Sequence, residues 1–448
     1  MKKFSLALFL SVFGLQSLSA QQLILRDPMI FNAVNAIDED IMQAHVEKLV
    51  SFYTRHNLST TTQADKGIGA AANYIYTFCA EYAAKYPQQI KVQRVPYTVG
   101  GEGTRLPRQV TLENIEIQLF FGVTASEAKL TQVPTYIGMA HYDSRTADNN
   151  DGEAFAPGAN DNGSGVAALM ELVRILSPLT VEKGLSSKPS CLTFLFVSGE
   201  EHGLMGAQHM AKRAKEAGWR IEAVINNDMI GNSSSSETEL RNNMEVRIFA
   251  GETEGPVREF GRYVKEVGER YVDQLSVKLI FRNDRFGRGG DHTPFNQQGF
   301  TAVRMTEQNE NYDRTHQDTR TEPDPKRTGK TLAFGDVISG VDFAYVRKNA
   351  GVNLAVLLNL ALAPEAPKGY VMHTRGLSNQ TRLSWEAPKD GPQPAAWYVL
   401  MRDTDQPLWQ RKIRVESCDV TIPYSKDNYF FAVQAVDEKG HESLIVVR

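Results

Sequence analysis

Two histidines and four carboxylates stand at the ends of apolar runs or in the glycine-rich turns that follow them: His141, Asp161, Glu200, Glu201, Asp228 and His316. Open α/β sheets gather their ligands at strand carboxyl ends, so residues this far apart in the chain can meet in one crevice. Imidazole nitrogen and carboxylate oxygen together make the borderline-hard donor set that suits zinc. His141, Asp161, Glu201, Asp228 and His316 are enough donors for one dinuclear zinc site, with Glu200 left over beside it. The chemistry this set points to is metal-assisted hydrolysis.

No single segment carries that reading. His141-Tyr142-Asp143 closes an apolar run, and on a strand positions i and i+2 point the same way, so Asp143 can brace the histidine or its neighbours. A histidine at a strand end is more often an ordinary hydrogen-bonded residue. Pro157 to Gly165 is a tight polar turn before a helix. It can present the Asp161 carboxylate with both oxygens free to bridge two cations, or Asp161 or Ser164 can cap the helix. The turn lacks the Gly-Lys-Ser/Thr of a phosphate loop. Adjacent glutamates in Ser198-Gly199-Glu200-Glu201-His202-Gly203 can divide the work, one on metal and one taking a proton from water. Acidic residues also favour any helix start through the dipole. Asn226-Asn227-Asp228-Met229 and Asn311 to Asp318 complete the set, and no HExxH helix is present.

Positioning these residues requires a sheet. Strand-like runs occur at Ile90 to Tyr97, Val110 to Phe121, Thr135 to Ala140, Leu192 to Val197, Ala223 to Asn227, Val246 to Ala250 and Thr301 to Met305. Helical spacing marks Asp38 to Arg55, Ile68 to Tyr86, Gly165 to Leu176, Leu204 to Ala217, Gly255 to Tyr271 and Thr331 to Leu362. Alternation of this kind predicts an α/β fold, a mostly parallel mixed sheet sandwiched by helices. The runs from Ile90 to Phe121 follow each other without a helix and leave an antiparallel pair open.

Ala363-Pro364-Glu365-Ala366-Pro367 ends the last helix, because proline cannot continue it. Beyond it the pattern changes to short β runs: Thr381 to Trp385, Ala396 to Arg402, Ile413 to Val415, Val420 to Ile422, Tyr429 to Val436 and Ser443 to Val447. They predict a small all-β sandwich. The expected organisation is a signal peptide over 1–20, a catalytic domain over 21–363, a linker over 364–367 and the sandwich over 368–448.

The signal peptide rests on Lys2 and Lys3, the apolar run Phe4 to Phe13 and the small residues at Ser19 and Ala20. It implies export, to a periplasm or the medium, with no membrane span left after cleavage. Removing it shifts the net charge from −4 to −6, which offers nucleic acid no electrostatic attraction. Cys79, Cys191 and Cys418 are too few and scattered for a disulfide framework and read as small buried apolar groups.

The segments His141 to Ser144, Pro157 to Gly165, Gly199 to Leu204, Asn227 to Met229 and Asp291-His292-Thr293-Pro294-Phe295, in this order, resemble the M28 family of zinc aminopeptidases over roughly Ala36 to Leu362. The resemblance implies two zinc ions, His141 and Asp228 on one, Glu201 and His316 on the other, and Asp161 bridging. It implies Glu200 as general base, Asp143 as the orienting residue and a cis peptide at Asp161-Asn162. The tail from Lys368, with Trp385 and Tyr429 to Val436, resembles a fibronectin type III module. Asn162 stands where family members often carry Asp, and Thr315 where some carry a Tyr that holds the oxyanion, leaving Tyr312, another donor or the metals alone to serve. His292 is read as structural.

These features predict an exported aminopeptidase acting on peptides. Alternatives on the same fold are a carboxypeptidase or dipeptidase, or a glutaminyl-cyclase-like acyltransferase using one zinc. A binding or adhesion protein, its β module touching a surface or polymer, is the non-enzymatic alternative. Arg282, Arg285 and Arg288 crowd the loop before Asp291 and offer contacts to a substrate carboxylate, although a salt-bridged loop is the commoner outcome.

Overall fold

The computed structural model describes residues 26–186, 188–238, 240–389 and 393–447. The expected signal peptide lies outside the described residues. Eight strands form one mixed sheet: β1 (Ile90–Val99), β2 (Val110–Phe121), β3 (Thr135–His141), β4 (Ser190–Val197), β5 (Ile221–Asn227), β6 (Glu245–Phe249), β7 (Ser276–Ile280) and β8 (Ala302–Glu307). Their order across the sheet is β1-β2-β4-β3-β5-β8-β6-β7. The central strands β4, β3, β5 and β8 run parallel. Both flanks, β2 on β4 and β6 on β8, pair antiparallel, and β1 and β2 form an antiparallel hairpin.

Every residue of β3, β4 and β8 is buried, because helices cover both faces; β3 and β4 are accordingly mostly apolar, while β8 buries Arg304, Thr306 and Glu307. The helices are α1 (Pro28–Asn35), α2 (Glu39–Ser51), α3 (Gly67–Lys85), α4 (Gly163–Leu176), α5 (Met205–Glu216), α6 (Pro256–Tyr271), α7 (His292–Gln297) and α8 (Phe343–Leu362). On one face α4 and α8 pack Val166, Leu169 and Leu357 against Phe194, Phe196 and Ile225. On the other, Met210 and Ala211 of α5 and Phe295 of α7 meet Ile137, Met139 and Leu195. The parallel strand ends thus open into a crevice between two helical layers.

The helix expected over Thr331 to Leu362 starts only at Phe343. Thr331–Phe334 is instead strand β10, paired antiparallel with β9 (Arg320–Pro323). Gly335, at φ +96°, turns the chain out of β10, and the Asp342 side chain accepts the Tyr345 N–H to cap the helix. An apolar residue every few positions therefore spans two elements here, and the breakers between them decide the boundary. Strand β7 and helices α1 and α7 lie in stretches the periodicity passed over.

The C-terminal unit holds β11 (Lys368–His373), β12 (Thr381–Glu386), β13 (Ala396–Asp403), β14 (Arg411–Val415), β15 (Asp419–Ile422) and β16 (Tyr429–Val436). Sheets β11-β12-β15 and β14-β13-β16 face each other across Leu383, Trp385, Trp397, Val399 and Val433, with the two tryptophans edge to face at 5.8 Å. Ser443 to Val447, expected as a strand, makes only an isolated bridge through Val446 to Val433. This unit sits on α6: Glu442 pairs with Arg270 at 2.7 Å and with Lys412 at 2.8 Å. Tyr263 donates its hydroxyl to the Glu442 carbonyl at 2.8 Å. Cys79 and Cys191 are buried thiols, and Cys418 is half-buried.

Candidate metal centre

The ends of β3, β4 and β5 and two loops bring all five expected ligands into one place. His141 Nδ1 lies 3.1 Å from the Asp143 carbonyl oxygen, a contact that puts the ring proton on Nδ1 and leaves Nε2 as a lone-pair donor. That Nε2 is buried without a hydrogen-bond partner. It stands 3.2 Å from Asp161 Oδ1 and 3.9 Å from Asp228 Oδ1. His316 Nε2 lies 3.0 Å from Asp161 Oδ2 and 2.9 Å from Glu201 Oε2. Two trios result, His141–Asp161–Asp228 and Asp161–Glu201–His316, each with donor atoms within 4.8 Å of one another. Asp161 belongs to both and turns one oxygen to each.

The electrostatics of this cluster call for cations. Burial opposes charge on His141, yet Asp143, Asp161 and Asp228 outweigh it and hold the imidazole well above its ordinary pKa. Burial likewise opposes charge on His316, but Glu201 and Asp161 push it up to about 10. Buried carboxylates at this density are stable only when paired or coordinated. An orphaned imidazole nitrogen and a shared carboxylate between two trios fit a pair of zinc ions.

Asp143 is fully buried and works on two elements. Its Oδ1 accepts the Glu200 N–H at 3.3 Å, its Oδ2 accepts the Glu201 N–H at 3.1 Å, and Asn57 donates to Oδ2 at 2.6 Å. It therefore orients the glutamate turn. Gly199 makes that turn possible, at φ +74°. Met229, after Asp228, and His316 are non-glycine residues at φ +56° and +53°, a conformation that tends to occur where surrounding structure enforces a functional geometry.

The Asp161 loop is held by residues the sequence reading missed. Asp336 accepts the backbone N–H groups of Asn160 and Asp161 at 2.8 and 2.7 Å. Arg55, with no exposed surface, donates to the carbonyls of Tyr142, Pro157 and Gly158 at 2.7, 2.6 and 2.8 Å, clipping the end of β3 to the loop. A Cβ on Gly158 would come 2.6 Å from that guanidinium and 2.5 Å from the Ser144 side chain, which excludes any other residue there. The Asp161-Asn162 peptide is cis. Asn162 explains its departure from the family pattern: its amide donates to the Asn227 carbonyl at 2.7 Å while its oxygen accepts the Gly165 N–H at 3.1 Å. A carboxylate has no hydrogen to give Asn227. Arg304 lies 3.2 Å from Asp228 Oδ1 and from Asp284, countering charge behind the site. None of these partners has a local sequence signal, because each acts across a long loop.

Glu200 faces a cleft of about 360 Å³ that Asp161, Glu201, Asp228 and His316 also line. Its carboxylate has no side-chain partner among the described residues. Burial, together with Asp228, Asp291 and Glu201, raises it well above the ordinary carboxylate range, with His141 opposing. Tyr312 is 58% exposed and outside the cleft lining. Thr315 Oγ1 donates to the Asn311 carbonyl at 3.2 Å. His292 lies 2.8 Å from the Asn283 carbonyl through Nε2, a structural contact. Arg285 and Arg288 line the cleft; Arg282 does not, and instead stacks on Phe286 at 4.1 Å.

An open mixed sheet whose strand ends and loops gather two histidines, three carboxylates and a free glutamate has the donor set of a metal-dependent hydrolase. The model of "Peptidase family M28" matches residues 124–335. A probable zinc metalloprotease of Leptosphaeria maculans is 36% identical over 92% of this chain and 95% of its own length. Another, of Pyricularia oryzae, is 36% identical over 92% of this chain and 82% of its own. The chain belongs to peptidase family M28. Its fold is similar to the LapA aminopeptidase of Legionella pneumophila (TM-score 0.53, 18% identity, 78% of each chain) and to LapB from the same organism (0.54, 15%, 76% of each).

Proposed function

We propose that this zinc-dependent metallopeptidase is an exported dizinc exopeptidase that removes N-terminal residues from peptides. The observation that carries the reading is Asp161, set between two donor trios on the floor of one cleft with the unpaired Glu200 beside them. His141 and Asp228 would hold one ion, Glu201 and His316 the other, and Asp161 both. When bound, the ions supply Lewis-acid polarisation of the scissile carbonyl and a water acidified toward neutral pH. Glu200 takes the proton of the attacking water and delivers it to the leaving amine. Burial raises the proton affinity of its carboxylate, which this task needs. Asp143 keeps Glu200 and Glu201 in register through their backbone N–H groups.

The cleft volume falls in the range of small-ligand sites, about 300–1,000 Å³, which suits the end of a peptide rather than an extended chain. LapA of Legionella pneumophila is itself described as an aminopeptidase. Residues 21–363 form the catalytic unit in this reading. The segment 368–448 is a fibronectin type III-like module, its two facing three-stranded sheets supporting that assignment. Its seat on α6 supports a structural role ahead of contact with a surface or polymer. Export rests on Lys2, Lys3 and the apolar run that follows.

Metal content by mass spectrometry on the purified mature protein, paired with aminoacyl chromogenic amides bearing free and blocked N-termini, tests the reading. Two zincs per chain and cleavage of free amines alone are expected. One metal, or cleavage of blocked substrates, would replace it with a cyclase-like or different peptidase activity.

A further inference from the structure

Building on the exopeptidase reading, we propose that the cleft rim is a carboxylate subsite formed by Arg105, Arg285 and Arg288. The favoured substrates are then short peptides with a carboxylate close to the scissile bond. That group comes from an acidic N-terminal side chain or from the free C-terminus of a dipeptide.

The three arginines reach the cleft from two separate loops, Arg105 from between β1 and β2 and the others from between β7 and α7. A salt-bridged loop accounts for only part of them. Buried Glu310 is shared by three guanidiniums, Arg247 at 3.0 Å, Arg285 at 3.0 Å and Arg288 at 3.3 Å. Asp284 is shared between Arg285 and Arg304. Two carboxylates thus face four arginines, and Asp228, the remaining acid against Arg304, belongs to the metal cluster. Arg105 has no carboxylate partner among the described residues; its one side-chain contact is Asn149 at 3.4 Å. Positive charge therefore remains at the rim above a floor rich in carboxylates.

Such a surplus in a concave site is favourable only toward an anion. Guanidinium grips carboxylate through paired charge-assisted hydrogen bonds. Arg285 is held by Asp284 and Glu310 with a side chain only 12% exposed, so it loses little freedom on binding. Arg288, with 38% of its side chain exposed, keeps room to receive a ligand. The basic rim thus offers a partner to a carboxylate held close to the metal cluster.

The test uses zinc-loaded Glu200→Gln protein, titrated by calorimetry with Asp-Ala amide, Ala-Ala and Ala-Ala amide. A carboxylate-bearing peptide should bind at least tenfold more tightly than Ala-Ala amide, a difference of the size charged hydrogen bonds provide. Preference for Asp-Ala amide assigns the acidic side chain, and preference for Ala-Ala the C-terminus. Arg288→Ala, and independently the exposed Arg105→Ala, should bring the preferred peptide down to the affinity of the amide. Equal binding of all three peptides, or a preference unchanged in both variants, overturns the subsite. Turnover by the unmutated enzyme separates the two ideas. Hydrolysis of free-amine substrates without a carboxylate preference sinks the subsite alone, while tight carboxylate binding with no hydrolysis of any peptide sinks the exopeptidase reading alone.

Discussion

The Asp336 carboxylate clasps the backbone of the loop that presents Asp161, accepting the Asp161 N–H at 2.7 Å and the Asn160 N–H at 2.8 Å. One acid thereby positions another. Burial raises the Asp336 carboxyl to about 7, partly offset by those two N–H groups, with the charge of Asp161 adding to the rise. Asp336→Asn turns one acceptor into a donor facing an N–H group. Zinc affinity, measured by competition with a chromogenic chelator, should weaken by roughly 10- to 100-fold, as for residues that orient metal ligands. An unchanged affinity would make the contact incidental to the site.

Glu200→Gln keeps the shape of the floor but removes the carboxylate proposed as the base. Zinc content should stay at the unmutated level while kcat falls by about 10²- to 10⁴-fold, the contribution of general acid–base catalysis. Near-normal kcat would require another base.

Asn162 donates to one backbone carbonyl and accepts from backbone N–H groups, including that of Met229 at 3.3 Å. Asn162→Asp, although it restores the residue often found in the family, leaves the buried Asn227 carbonyl facing a carboxylate. A loss of about 1–3 kcal/mol in urea unfolding is expected, the cost of an unsatisfied buried group. No loss would show that Asn227 finds another donor.

His45, on α2, is buried between the Tyr74 hydroxyl at 2.6 Å and the Phe78 ring at 5.1 Å. Burial, with a smaller contribution from Arg174, lowers it from 6.5 to about 4. Between those values the unfolded chain holds a proton that the folded protein refuses, so stability falls as pH drops from 6.5 toward 4. Metal-stripped His45→Gln protein should lose less stability than the unmutated protein between pH 7 and 4.5, by at most roughly 3 kcal/mol. Parallel curves for the two proteins would show that His45 titrates normally.

Glu442 is 1% exposed and satisfies Arg270 and Lys412 at the seam between the β unit and α6. Glu442→Ala leaves Arg270 and Lys412 with Glu266 as their one remaining carboxylate and should cost about 1–3 kcal/mol. Because Leu400, Ala432 and Ile445 of the β unit belong to the same apolar cluster as α6 and α8, calorimetry should show one unfolding transition for both units. Two separate transitions would mean that the seam is weak.

The strands that carry the site were legible because burial on both faces makes β3 and β4 largely apolar runs; His141, Glu201 and Asp228 stand at or just after strand ends, while Asp161 and His316 lie on loops. His141, Asp161, Glu200, Glu201, Asp228 and His316 could be named from residue type and local order, since ligand chemistry admits few side chains. Local pattern failed where function depends on pairing at a distance. Arg55, Asp336, Asn57 and Arg304 are ordinary residues in the chain and become positioning residues only when folding removes water from around them. The arginines before Asp291 show the same division: their crowding is visible in the sequence, but only the folded loops turn Arg285 and Arg288 into the cleft, swing Arg282 onto Phe286 and bring Arg105 alongside. Residue types determined which chemistry was available, because donor softness and charge are properties of single side chains. Tertiary structure decided which groups share a carboxylate, which are paired and which face the substrate, because those are properties of distance and burial.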